Sequence, residues 1–169
     1  MLSNPLRDRF VYQYKMELYG DEDLKKIASI TSEKLDIHLT PEQCFKIASV
    51  SRGTPRLVNK YCILTRDYAF SESDGKICDN TIKNTLSLAN VNEGGLSDLD
   101  VLLLQTLSEI GKPVGLSTLS HILNEDPQTI EDVYEPYLLL KKMIIKTPRG
   151  REITELGLNY LKEMENKYE

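Results

Sequence analysis

Apolar residues recur along this chain at helical spacing over most of its length and at alternating spacing near its carboxyl-terminal end. Leu24, Ile27, Ala28 and Leu35 share one face of a 3.6-residue repeat, with Asp21, Glu22 and Asp23 where a helix amino terminus favours negative charge, so a helix is predicted from Asp21 to about Leu35. Thr40-Pro41-Glu42-Gln43 has the form of a capping box with proline at the first helical position, and Phe45, Ile47 and Ala48 continue that helix until Arg52-Gly53 stops it. Thr54-Pro55 opens a third helix through Leu57, Asn59, Tyr61 and Leu64 to about Ala69. Ser73-Asp74-Gly75 supplies a turn, and Asp79 is placed to cap a fourth helix bearing Ile82, Leu86 and Leu88 and ending near Asn90. These elements predict a small helical bundle.

Asn90-Val91-Asn92-Glu93-Gly94-Gly95 has adjacent glycines and little apolar content, which marks a boundary. Ser97-Asp98-Leu99-Asp100 caps a new helix with Leu99, Leu102, Leu103 and Leu107 on one side, broken at Gly111-Lys112-Pro113. A short helix around Ser117 to Leu123, a tight turn at Asn124-Glu125 and another helix beginning at Asp126-Pro127 have the spacing of a helix-turn-helix. Pro136 interrupts the continuing pattern of Val133, Tyr137 and Leu138 and predicts a kink or restart. Ile144 to Thr147 and Arg151 to Thr154 flank Pro148-Arg149-Gly150 as a short hairpin with an arginine at its tip, which after a helix-turn-helix is a wing. Leu156, Leu158 and Leu161 begin a final amphipathic helix. The reading is mainly α, with residues 1–20 leading in, a helical module over 21–92 and a winged-helix module over 93–169.

A length of 169 residues suits two small cores, and 40% hydrophobic with 28% charged residues is ordinary globular composition. No apolar run approaches the roughly 20 residues of a membrane helix, and no basic segment followed by an apolar stretch opens the chain, so a cytoplasmic location is expected. Met1 need not be the native start. Cys44, Cys62 and Cys78 form no Cys-x-x-Cys pair and read as buried free thiols, and with only His38 and His121 besides, no metal site is expected. The net charge of −5 excludes a protein that coats nucleic acid through bulk positive charge. Lys141, Lys142, Lys146, Arg149 and Arg151, however, have no acidic residue among them, and they are the local candidates for phosphate contact.

Neither Gly75-Lys76-Ile77 nor Gly111-Lys112-Pro113 is a phosphate loop, so the 169 residues are not expected to hydrolyse ATP by themselves. Arg56, in the first turn of the helix opened by Thr54-Pro55, sits where a helix end favours an anion, though a surface arginine would fit the same spacing. Arg7 and Arg9 bracket Asp8, and spacing alone allows either two solvated arginines or an arginine presented to a phosphate.

Three motifs in fixed order go further. Asn4-Pro5-Leu6-Arg7-Asp8-Arg9-Phe10 resembles the end of the ATPase core of the RuvB Holliday-junction motors, Ser51-Arg52-Gly53-Thr54-Pro55-Arg56 resembles their sensor-2 motif, and Thr147-Pro148-Arg149-Gly150-Arg151 resembles their wing. Arg66-Asp67-Tyr68-Ala69, Asp74-Gly75, Pro113-Val114-Gly115-Leu116 and the run from Thr129 to Leu138 match in the same order, so the resemblance covers essentially the whole chain. It implies the end of an AAA+ core over 1–20, an AAA+ lid over 21–92 and a winged-helix DNA-binding domain over 93–169. It also implies residue roles. Arg7 would be the arginine finger acting in trans, Arg9 and Tyr19 would border nucleotide, Arg56 would be the sensor-2 arginine, and Lys146, Arg149 and Arg151 would meet the DNA backbone. In the intact protein it implies ATP with Mg, a homohexamer, double-stranded DNA at Holliday junctions, a RuvA-like junction-binding protein and a RuvC-like resolvase. The chain departs from that pattern at Val11, where glycine is usual, at Lys146, where arginine is usual, and over Tyr61 to Thr65, which lacks the usual arginines. The competing readings are a non-enzymatic winged-helix regulator, which would need base-reading side chains where Gln128, Thr129, Glu131 and Asp132 stand, and the corresponding part of a clamp-loader or initiator ATPase.

Overall fold

Two separate hydrophobic cores lie on either side of the Gly94-Gly95 pair. The computed structural model describes residues 9–12, 14, 16–92 and 94–168. The first core gathers Leu24, Ala28, Cys44, Ile47, Val58, Cys62, Ile82 and Leu86 from α1 (Asp21–Lys34), α2 (Pro41–Ser49), α3 (Pro55–Glu72) and α4 (Asp79–Leu88). The capping box of α2 forms as expected, Thr40 and Gln43 each accepting from the other's backbone N–H. At α4 the cap is Cys78 rather than Asp79: Thr81 Oγ1 accepts from the Cys78 N–H, which frees Asp79 to pair with Lys46 at 2.7 Å. That leaves Cys78 exposed while Cys44 and Cys62 are buried, which corrects the expectation of three buried thiols.

The second core joins Leu103, Leu104 and Leu107 of α5 (Asp98–Ile110), Leu119 and Leu123 of α6 (Leu116–Leu123), and Leu138 and Leu161 of later helices. The inward face of α5 takes Leu104, not Leu102, which is 43% exposed, because Leu104 shares the helical face of the buried Asp100, Leu103 and Leu107. After α6, α7 (Pro127–Thr129) passes into a π-helical segment, Ile130–Tyr134, and then α8 (Glu135–Leu140). Pro136 has no N–H to offer the preceding turn and its ring crowds that turn, and the wider π-helical coil accommodates both without breaking the helix.

Strands β1 (Ile144–Thr147) and β2 (Gly150–Ile153) pair antiparallel, with Lys146 opposite Arg151 and Thr147 opposite Gly150. The hairpin loop is Pro148-Arg149, one residue shorter than the sequence suggests, because Gly150 belongs to the strand. Val114 bridges to Arg151 through two backbone hydrogen bonds of 2.9 and 2.8 Å, so the hairpin is fastened to the start of α6. Gly150 is required there: its φ is +137°, and a Cβ would stand 2.3 Å from the Val114 carbonyl oxygen. Helix α9 (Glu155–Tyr168) closes the module through Leu161, and Leu156 faces outward at 55% exposure. Among the described residues no helix is long and apolar enough to cross a membrane.

Candidate functional site

The wing places its basic residues in two unlike environments. Arg149 sits exposed at the hairpin tip, its backbone N–H held to Thr147 Oγ1 at 3.3 Å and its side chain in no ion pair with a described residue. Arg151, two residues on, points back. Its Nε donates to Glu135 Oε1 at 2.6 Å and its guanidinium reaches Glu131 Oε1 at 2.7 Å, with only 12% of the side chain exposed. Lys146, opposite Arg151 on β1, lies 2.5 Å from Glu135 Oε2 and 3.4 Å from Glu131. The hydrogen bond to Glu135 raises the Lys146 ammonium pKa above the ordinary lysine value. For Arg151, burial works against the charge, but the hydrogen bonds to Glu135 and Glu131 outweigh it and raise its pKa.

The pairing of Glu131 and Glu135 with the wing is therefore what sequence reasoning missed. The two glutamates stand four apart on one face of the helical stretch leading out of the helix-turn-helix, and they neutralise two of the five cations in the run that carries no acid of its own. Glu135 is fully buried, and its pairing with both strands fixes the wing against that helix. Asp132, the neighbouring carboxylate, accepts from Gln128 at 2.8 Å. Carboxylates that look hostile to DNA in the sequence are thus taken up by contacts inside the protein.

The second cluster surrounds the turn before α3. Arg56 is exposed in the first turn of α3, a turn that contains no acidic residue, and it forms no ion pair with a described residue. Thr54 does not cap the helix with its side chain, and its hydroxyl donates to the Arg52 carbonyl at 3.2 Å. The open amino end and the adjacent guanidinium together favour an anion. Tyr19, half exposed, donates its backbone N–H to the Gly53 carbonyl at 3.1 Å, and Leu18 packs so closely that a Cβ on Gly53 would stand 2.7 Å from it. Tyr19 and Arg56 are brought to one turn. Arg9 is exposed, and Arg7 lies outside the described residues.

The non-basic stretch over Tyr61 to Thr65 has a local reason: Tyr61, Cys62 and Thr65 face the core of the first module, leaving only Ile63 and Leu64 nearer the surface. Burial pushes the Cys62 thiol up to about 12, so it remains protonated.

Comparison with known proteins agrees with this layout. Residues 19–92 match the model of the RuvB AAA lid domain and residues 93–162 that of the RuvB C-terminal winged helix domain. This chain belongs to the RuvB family. Over 164 residues it is 42% identical to the Holliday junction branch migration complex subunit RuvB of Chlamydia pneumoniae, covering 96% of this chain and 49% of that protein. The corresponding subunit of Enterococcus faecalis is 43% identical over 173 residues, covering 98% of this chain and 51% of the relative. The solved structure of the Thermotoga maritima RuvB Holliday junction branch migration motor superimposes with a TM-score of 0.85 at 34% identity, covering 95% of this chain and 55% of that one. The chain spans about half the length of the RuvB relatives it matches, and the half it holds is the lid and winged helix.

Proposed function

We propose that this chain is the lid and DNA-gripping part of an ATP-dependent motor for Holliday-junction branch migration, with residues 1–20 ending the ATPase core, 21–92 forming the lid and 93–169 the winged helix. The observation that carries the reading is the pair of exposed arginines without described acidic partners, Arg56 at the acid-free start of α3 and Arg149 at the wing tip. Arg56 takes the sensor-2 role at the γ-phosphate. Tyr19, held to the same turn, borders the nucleotide, Arg9 lies near the subunit boundary, and Arg7 is the finger offered to the adjacent subunit. An open helix end, a free guanidinium and a neighbouring aromatic ring fit a nucleotide chemically. ATP with Mg supplies the free energy in the intact protein, whose other half carries the hydrolytic machinery. The family reading adds a cytoplasmic homohexamer working with a RuvA-like junction-binding protein and a RuvC-like resolvase.

At the DNA, Arg149 is the direct phosphate contact. Lys146, still partly exposed, adds positive potential, and Arg151 holds the strand that presents the tip. Phosphate contact gives grip without sequence preference, as a motor that moves over any sequence requires. A sequence-reading regulator fits poorly, since Glu131 and Asp132 of the helix it would use are engaged within the protein. The test is binding to a four-way junction and to random duplexes across a salt series. Sequence-blind binding whose salt slope drops by about 0.9 in Arg149→Ala supports the proposal. Tight preference for one duplex sequence overturns it.

A further inference from the structure

Adjacent glycines between two small domains ordinarily read as a flexible hinge, and relative motion is the default where little surface is shared. Here the extensive helix–helix contacts all lie within one module or the other. Yet the junction is closed. The Asn92 side-chain oxygen accepts from the backbone N–H of both Gly94 and Leu96 at 3.0 Å, while the Asn92 backbone N–H donates to the Leu96 carbonyl and its carbonyl accepts from Gly95. Val91 and Ser97 pair across the turn as an antiparallel bridge.

One residue ties this turn to the lid. Arg52, at left-handed φ +51° in the turn that precedes α3, extends across the boundary. Its Nε donates to the Gly95 carbonyl at 2.9 Å, its terminal nitrogen pairs with Asp100, and its guanidinium lies 4.6 Å from the centroid of the Tyr137 ring. Asp100 is wholly buried and is also the third-residue partner in the α5 capping box whose N-cap is Ser97, one oxygen accepting from both Ser97 N–H and Ser97 Oγ at 2.7 Å. Its other oxygen is buried without a described partner, so Arg52 is the only ion-pair partner of this carboxylate among the described residues. Tyr137 donates its hydroxyl to the Gly94 carbonyl at 3.2 Å, and Gly95 fits against Val50 with room for no side chain, a Cβ there meeting the Val50 Cα at 3.2 Å.

We propose that Arg52 is the positioning residue that locks the winged helix to the lid, so that displacement of the sensor-2 turn reaches the wing as rotation of one rigid lever. The purpose assigned to this lock rests on the motor reading above; the lock itself does not. Arg52 belongs to the same short turn as Gly53, which holds Tyr19, and stands four residues before Arg56. Nucleotide-side contacts and the interdomain clasp therefore share one piece of backbone. A guanidinium suits the position because its planar fork aims donors at a carbonyl and a carboxylate in fixed directions while its face lies on an aromatic ring, a geometry that an ammonium does not preorganise.

The test needs neither DNA nor nucleotide. Spin labels on Cys78, which is exposed in the lid, and on a cysteine introduced by Lys162→Cys in α9 report the distance between the modules by pulsed electron resonance. Wild-type protein is expected to give one narrow distance distribution, and Arg52→Asn, which keeps a residue tolerant of positive φ, to broaden it about twofold or more. Amide spectra serve as the fold control, with the signals of each module's core unchanged. Should Arg52→Asn fail to fold, Arg52→Lys is measured instead and is expected to broaden the distribution less. Asp100→Asn, which removes the charge but keeps the cap, is expected to broaden it too. A distribution already broad in wild type, or unchanged in the folded Arg52 variant, overturns the proposal. Failure of the motor reading would appear in the DNA salt series and would leave these distances untouched.

Discussion

Arg149 and Arg151 stand two residues apart in the same hairpin, and the structure gives them opposite consequences when removed. Arg151→Ala takes away a bidentate partner of Glu135, a carboxylate with no exposure, and one partner of Glu131. Deleting one member of a buried pair typically costs about 3–5 kcal/mol, and Lys146 still reaches Glu135, so about 2–3 kcal/mol is expected. In a module of this size that lowers the melting temperature on the order of 10–20 °C. Arg149→Ala removes an exposed side chain with no described acidic partner and should shift stability by no more than about 0.5 kcal/mol. Thermal and urea unfolding followed by circular dichroism measures both, and DNA binding by the same proteins, below their melting points, completes the comparison. Arg151→Lys should fall between wild type and alanine, since lysine keeps the charge and loses the fork. The reasoning is refuted if Arg151→Ala is as stable as Arg149→Ala while the two lose DNA affinity equally, because Arg151 would then face phosphate and not Glu135.

Three further outcomes are expected. Under native conditions an alkylating reagent should modify Cys78 first, its thiol exposed and its pKa lowered by hydrogen bonding from Thr81, and leave Cys62, pushed up to about 12 by burial, unmodified; mass spectrometry of the digested protein decides this, and early labelling of Cys62 would contradict the packing of the first core. Tyr137 is raised to about 12 by burial, with the Arg52 charge pulling the other way. Because its folded pKa lies above the roughly 10 of an unfolded tyrosine, its contribution to stability is intact below that pH and is lost as pH climbs toward about 12. A tyrosinate absorbance titration should show late-titrating groups, since burial also raises Tyr61 and Tyr134, and one of the late groups should disappear in Tyr137→Phe. Gly150→Ala should destabilise the second module by about 1–3 kcal/mol or more through its +137° φ and the contact with the Val114 carbonyl, read by urea unfolding.

Periodicity and capping chemistry were enough to place the helices, because the Thr40–Gln43 and Ser97–Asp100 boxes and the prolines at 41, 55 and 127 act locally. The hairpin was legible for the same reason, with Pro148 in its turn and Gly150 opening its second strand. Facing was less so. Leu102 and Leu104 are equally apolar, yet Leu104 is buried with Leu103 and Leu107 on the face that also carries the buried Asp100, while Leu102 is 43% exposed. The site divided along the same line. Arg56 and Arg149 could be named from motif position, whereas the pairing of Lys146 and Arg151 with Glu131 and Glu135 joins residues 11 to 20 positions apart and depends on where the wing folds back. The one available signal was two glutamates at helical spacing ahead of an acid-free basic run. Arg52 was quoted within a motif for its neighbours, and its own partners lie 43 and 48 residues away.

The most direct test of the central claim joins this chain to the part of the Thermotoga maritima RuvB chain that the superposition leaves uncovered, and follows strand exchange on a four-way junction with ATP, with hydrolysis and ring assembly measured on the same preparation. The account predicts that the hybrid hydrolyses ATP and moves the junction, and that Arg149→Ala slows movement more than hydrolysis. A hybrid that assembles and hydrolyses normally but leaves the junction in place would contradict it.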